Sequence, residues 1–210
     1  MIDAGLFPPD EQPILEDGAI VDGATGARHR FTTDDLDRMD ELGLFGDDER
    51  IELLDGEIYL MARVNSPHSS AITRLNRLLT HALWDRATVI VRNPSHLAPE
   101  SEPQPDITLA QFREDGYRVA HPTPAEMFLV VEVMDSSARF DRNKKRPIYA
   151  RAGVPELWLV DVPGDLIEVH RRPEKGLYIE KQTLRRGETL SPAAFPDVVL
   201  AVEAILGPMV

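Results

Sequence analysis

The stretch Met127-Phe-Leu-Val-Val-Glu-Val-Met134 constrains the fold more than any other part of this 210-residue chain. It is apolar at odd and even positions alike. Side chains alternate between the two faces of a sheet, so the run predicts a central strand covered on both faces. One polar residue interrupts it, Glu132. A carboxylate set there lies in or beside the core, where an unpaired charge costs on the order of several kcal/mol even after relaxation. An ion pair, protonation or a metal ion is the usual resolution.

Residues 1–30 are rich in Gly, Pro and Asp, lack periodicity, and read as an irregular N-terminal arm. From Phe31 to Leu44 the text FTTDDLDRMDELGL offers Thr32 or Thr33 as a cap, acids in the first turn, and Leu36, Met39 and Leu42 at helical spacing. A short helix ending at Gly43 is expected. Asp55-Gly56 between two apolar runs signals a tight hairpin, with Glu52 on its first arm. Ser66 and Pro67 read as the cap and first turn of the longest helix, roughly 67–86, with Ile72, Leu75, Leu78, Leu79, Ala82 and Leu83 in one stripe. Strands are expected at Thr88–Val91, Ile107–Leu109 and Met127–Met134. A second helix then runs through Tyr149 and is stopped by Gly153 and Pro155, and further strands follow at Leu157–Asp161, Leu166–His170 and Tyr178–Gln182. This order predicts an α/β (α+β) fold, a mixed β-sheet flanked by helices, as a single domain over residues 31–210.

The chain has no cysteine, which excludes disulfides and thiolate zinc sites and points to a reducing, cytoplasmic setting. MIDAGLFPPDEQP lacks the basic start and apolar core of an export signal, and no apolar run of about 18 residues suggests a membrane span. A net charge of −13 looks hostile to nucleic acid, yet it is concentrated. Residues 1–57 hold 17 acidic and four basic residues, whereas residues 58–210 hold 19 of each. Within the neutral part, Arg139, Arg142, Lys144, Lys145, Arg146 and Arg151 stand against Asp141 alone, as a positive patch or as a solvated helix face. None of the six histidines has HExxH or HxH spacing, so a zinc site is not expected. Trp84, Trp158 and Tyr149 read as core or interface rather than base-stacking groups.

QPDITLA places Asp106 at a strand entrance straight after a proline. If that strand neighbours the one holding Glu132, two carboxylates meet. At a separation of about 4 Å they repel by about 4 kcal/mol at an effective dielectric near 20, so a site that keeps both ionised calls for a cation between them. Oxygen ligands favour Mg²⁺ or Mn²⁺ over zinc, and such an ion can activate water and neutralise charge on a scissile phosphate. A structural ion pair is the alternative. A lysine beside that water would help position it, and Lys144 and Lys145 follow Glu132 closely. On a helix through Tyr149, Lys145 shares a face with Tyr149 and Ala152, and Lys144 shares one with Ile148 and Arg151. Lys145 is preferred. Pro147 either kinks this helix or starts it.

The words ELLDGEI (52–58), PDITLA (105–110), LVVEV (129–133) and DRNKKRPIYARAGVPELWLVD (141–161) resemble the Uma family of restriction-endonuclease-like proteins, over roughly residues 31–170. The resemblance implies a PD-(D/E)xK nuclease fold that cuts DNA with Mg²⁺ (or Mn²⁺) held by Asp106 and Glu132. The sequence departs from the superfamily pattern at Met134, where the lysine two residues after Glu132 would stand. The Uma-type pattern has its lysine downstream, which implies Lys145, just before Arg146-Pro147-Ile148-Tyr149. Glu52 opens ELLDGEI and is implied as a further ligand or orienting carboxylate, with a surface strand acid as the alternative. His68 opens the long helix where the family usually has a histidine, and is a candidate phosphate contact or helix cap. Lys144 and Arg142 are further candidates for phosphate contact. A homodimer is implied, since cutting both DNA strands often takes two copies.

Three functions compete. The first is a Mg²⁺-dependent DNA endonuclease. The second is a nuclease-fold protein without turnover, acting in DNA or protein binding, suggested by Met134 and the acidic N-terminal quarter. The third is a hydrolase of some other phosphate ester.

Overall fold

A computed structural model describes residues 13–16, 19–22, 24–46, 49–62 and 65–208. The chain divides into two compact units, one taking the described residues up to Met61 together with Ala98–Glu102, the other those of Ala62–Leu97 and from Pro103 onward. This division differs from the expected boundary after residue 30. The short segment 98–102 joins the first unit through a bridge between Leu53 and Glu102, a pairing that sequence distance hides.

In the first unit, β1 (Pro13–Glu16) and β2 (Ala19–Asp22) form an antiparallel pair. Part of the segment expected to be irregular is thus a pair of strands, and residues 1–12, 17, 18 and 23 of that segment lie outside the described residues. Helix α1 (Thr33–Glu41) starts at Thr32, whose hydroxyl accepts the Asp35 N–H while the Asp35 carboxylate accepts the Thr32 N–H. Strands β3 (Ile51–Leu54) and β4 (Glu57–Leu60) are joined by Asp55 and Gly56, with φ of 52° and 72°, the left-handed pair that a two-residue hairpin needs. Gly56 is required twice over, because a Cβ there would lie 2.7 Å from the Cβ of Arg30. Phe31, Met39 and Leu53 form this unit's core.

The second unit contains α2 (Ser66–Leu83), β5 (Ala87–Val91), β6 (Ile107–Gln111), β7 (Met127–Met134), α3 (Ala138–Phe140), a π-helical turn at Asp141–Lys145, α4 (Arg146–Ala152), β8 (Glu156–Asp161), β9 (Leu166–Glu174), β10 (Leu177–Arg185), β11 (Thr189–Leu190), β12 (Leu200–Ala201) and α5 (Val202–Leu206). Its central sheet has the order β10-β9-β8-β7-β6-β5, antiparallel throughout except for the parallel pair β7 and β8. A parallel pair demands a crossover, and the helical segment from α3 to α4 supplies it.

As its pattern predicts, β7 lies in the middle with both faces covered. Leu129, Val131 and Val133 join Leu75, Leu79 and Leu83 of α2 and Val202 and Ile205 of α5 in one apolar cluster. Val130, Glu132 and Met134 point to the opposite face, and the contacts of Glu132 place the crossover there. Pro147 settles into the first turn of α4, directly after the π turn. It has no N–H to continue an α ladder, and the wider turn ahead of it, closed by Arg146 N–H to the Asp141 carbonyl, takes up the mismatch. Gly153, at φ 81°, ends α4 in the left-handed conformation.

Candidate nuclease site

Strands β6 and β7 pair with Ile107 opposite Val131, so the next step of the register sets Asp106 opposite Glu132. The Val133 N–H, which donates to Asp106 Oδ2 at 2.8 Å, ties the strand entrance to β7. From the other side, His68 Nε2 reaches the same oxygen at 3.1 Å. Glu132 is approached from the crossover: Lys145 Nζ lies 3.0 Å from Oε1, and the Tyr149 hydroxyl donates to that oxygen at 2.5 Å. Lys145 and Tyr149 are one helical turn apart and share a face, as their spacing predicts. Asp106, Glu132 and Lys145 are each at most 3% exposed and Tyr149 is fully buried. The two acids, far apart in the chain, are therefore neighbours.

His68 is neither the cap of α2 nor a surface group. Asn65 is the cap, with extended backbone and an Oδ1 that accepts the His68 N–H at 3.1 Å, while Ser66, expected to cap, is already helical. Asn65 Nδ2 in turn donates to Asp135, just beyond β7. The imidazole of His68 points to Asp106, buried, and its Nδ1 has no hydrogen-bond partner among the described residues. A phosphate-contact role for Arg142 also conflicts with its surroundings. Its Nη2 lies 2.6 Å from Asp161 Oδ2 and 3.1 Å from Glu168 Oε1, so the guanidinium is held inside an ion-pair network. These bonds, together with the nearby negative charge, raise its pKa despite burial. The expected positive patch is correspondingly thinner: with Arg142 and Lys145 turned to carboxylates, Arg139 and Arg151 are the exposed members, and Lys144 and Arg146 are half-buried.

Glu52 belongs to the first unit, on β3. It is fully buried rather than a surface acid, and Arg50 Nη2 lies 3.1 Å from its Oε1. Trp158 is core, as expected, its indole N–H donating to Glu156 Oε1 at 2.7 Å; Trp84 stands 78% exposed just after α2. Sequence reasoning read Tyr149 as a core or interface residue and missed its hydroxyl's bond to Glu132. The signal was present in its position four residues after Lys145.

Among the described residues, no group of three His, Cys, Asp or Glu side chains is placed to hold a metal ion. The donor set is two facing carboxylates. That suits Mg²⁺, which usually takes one or two carboxylates and completes its octahedron with waters and substrate phosphate, and it does not suit zinc.

The mixed sheet and its helical crossover are those of a restriction-endonuclease-like fold. The crystal structure of a "putative nuclease" from Anabaena variabilis superposes with a TM-score of 0.66 at 16% identity, covering 84% of this chain and 97% of that one, which establishes the shared fold. A family model described as "Putative restriction endonuclease", Uma2, matches residues 33–203, and the chain belongs to the Uma2 family. The type IIG restriction endonuclease BpuSI is a weaker match, with a TM-score of 0.37 at 13% identity over 57% of this chain and 14% of that one. No curated protein matches the sequence. No helix among the described residues is long and apolar enough to cross a membrane.

Proposed function

We propose that this protein is a Mg²⁺-dependent (or Mn²⁺-dependent) endodeoxyribonuclease that hydrolyses phosphodiester bonds in DNA, with Asp106 and Glu132 as the residues that hold the ion. The observation that carries this reading is the meeting of Asp106 and Glu132 across β6 and β7, with Lys145 at Glu132. A divalent cation held there would neutralise charge on a scissile phosphate and generate a nucleophile at neutral pH. Lys145, at the edge of the acid pair, would position the attacking water and offset charge building on the phosphate. Met134 is fully buried two residues after Glu132, so the working lysine comes from the crossover instead of the strand. Lys144 is the secondary candidate for phosphate contact. Glu52 is retained as an acid whose removal asks whether the first unit contributes to the chemistry. Cutting both DNA strands often takes two copies of such a site, and the proposal includes a homodimer, measurable as mass in solution with DNA bound.

Plasmid DNA incubated with the purified protein and Mg²⁺ or Mn²⁺ tests the reading. Nicked or linear product is expected from the natural chain and not from Asp106→Ala. Equal cutting by the two, or none by either across supercoiled, linear and single-stranded substrates, overturns it. A second reading, a nuclease fold acting in DNA or protein binding without turnover, is favoured by one observation: Lys145 already balances Glu132 with no metal needed. DNA binding that is unchanged by chelator, with no cleavage, would support it.

A further inference from the structure

We propose that His68 and Tyr149 are positioning residues of this site, each anchoring one oxygen of a carboxylate, Asp106 or Glu132, that would hold the ion. The inference rests on the nuclease reading above. A carboxylate oxygen offers about two acceptor sites. On Asp106, Oδ2 takes the Val133 N–H at 2.8 Å and His68 Nε2 at 3.1 Å. On Glu132, Oε1 takes the Tyr149 hydroxyl at 2.5 Å and Lys145 Nζ at 3.0 Å. One oxygen of each acid is therefore held by two buried donors, which fixes the orientation of the carboxylate.

The donors differ in what they can contribute. Val133 donates from the backbone and cannot be varied by selection on a side chain. Lys145 adds positive charge, which opposes a cation at the same carboxylate. His68 and Tyr149 fix the acids by hydrogen bonding, and Tyr149 does so with no charge at all. The imidazole makes no second polar bond among the described residues, since Nδ1 has no hydrogen-bond partner, so the one polar bond of that ring described here goes to Asp106. Partners of metal ligands placed in this way orient the ligand and restrict it to one binding geometry, and their loss typically weakens metal affinity about 10–100-fold.

The test is calorimetric titration of the full chain with Mn²⁺ in the absence of DNA, alongside the unfolding midpoint of the metal-free protein. Tyr149→Phe keeps the ring and removes the hydroxyl; His68→Leu removes the donor; His68→Gln restores an N–H. Tyr149→Phe and His68→Leu are expected to bind Mn²⁺ about 10–100-fold more weakly than the natural chain. His68→Gln is expected to recover part of that loss. A purely structural role would lower the unfolding midpoint and leave the dissociation constant unchanged in the folded variants, and that result overturns the inference while the nuclease reading stands. If the natural chain takes up no Mn²⁺, or Asp106→Asn binds it equally well, the nuclease reading fails and the inference fails with it. Should His68→Leu not fold, the Tyr149→Phe titration decides.

Discussion

Two buried carboxylates occupy the same face of the central sheet, in one register row: Glu132 pairs with Leu159, and Leu159 pairs with Glu168. Their surroundings differ in charge balance. Glu168 and its neighbour Asp161 share Arg142, and Glu168 also meets Lys181 Nζ at 3.2 Å and His170 Nε2 at 3.2 Å. Burial pushes the Glu168 carboxyl up, but the bonds from His170, Arg142 and Lys181 outweigh it and hold the group below the ordinary carboxylate range. Among the contacts described, Glu132 meets Lys145 and a tyrosine hydroxyl, and Asp106 meets a backbone N–H and a histidine charged only when protonated. Two permanent cations for two acids make a closed structural network. At the proposed nuclease site a divalent ion would ease the repulsion between the two neighbouring carboxylates. Burial of an acid alone does not mark a site, since Glu168 is buried inside a network of cations.

Removing the cation from each cluster is the strongest way to break this comparison. Lys145→Met leaves Glu132 buried without its counter-charge and should cost about 3–5 kcal/mol in urea unfolding, as breaking a buried pair does. Cleavage should be lost as well. Adding Glu132→Leu to that variant should recover most of the stability and none of the cleavage, because replacing the whole pair by apolar groups is often neutral. Arg142→Met should cost about 2 kcal/mol, the scale of hydrogen bonds to charged groups at a half-buried position, while cleavage persists. Equal loss of cleavage in both variants would mean that the two clusters act as one site, and the distinction drawn from charge balance would be lost.

The same contrast separates what the sequence makes legible from what it does not. The central strand was readable because apolar residues at both parities leave few alternatives, and the face that Lys145 shares with Tyr149 was readable from their helical spacing. Asp106 could be named from its strand entrance, although only the β6–β7 register puts it opposite Glu132. The partners of His68 and Arg142 were not readable, since Asp106, Asp161 and Glu168 come from strands whose order the sequence does not specify. A charge count over residues 139–151 therefore overstated the exposed patch. The capping residue was misplaced by one, from Asn65 to Ser66, because both are good caps and only the backbone angles choose between them.

Asn65 offers a smaller effect that sharpens the same picture. Its side chain caps α2 at the turn carrying His68, so Asn65→Ala should cost about 1 kcal/mol of stability and loosen the imidazole that meets Asp106. A drop in Mn²⁺ affinity smaller than that of His68→Leu is expected by titration. An affinity loss exceeding that of His68→Leu would point to Asn65 itself, or its bond to Asp135, as part of the site.

The smallest effect is a pH dependence belonging to the closed network. Burial lowers the His170 pKa from its ordinary 6.5, partly offset by its bond to the Glu168 carboxylate. The folded protein then binds fewer protons than the unfolded chain in the window just below pH 6.5, so stability falls as pH falls through it. Glu168 acts lower. Its folded pKa lies below the ordinary 4.5, so its contribution is complete above that value and is lost as pH falls toward the folded pKa. Unfolding free energy measured against pH should therefore decline in two stages on acidification. His170→Gln should remove the upper stage and leave the lower one in place. If the variant and the natural chain follow the same curve between pH 6.5 and 4.5, the imidazole does not titrate with folding, and the network owes its balance to Arg142 and Lys181 alone.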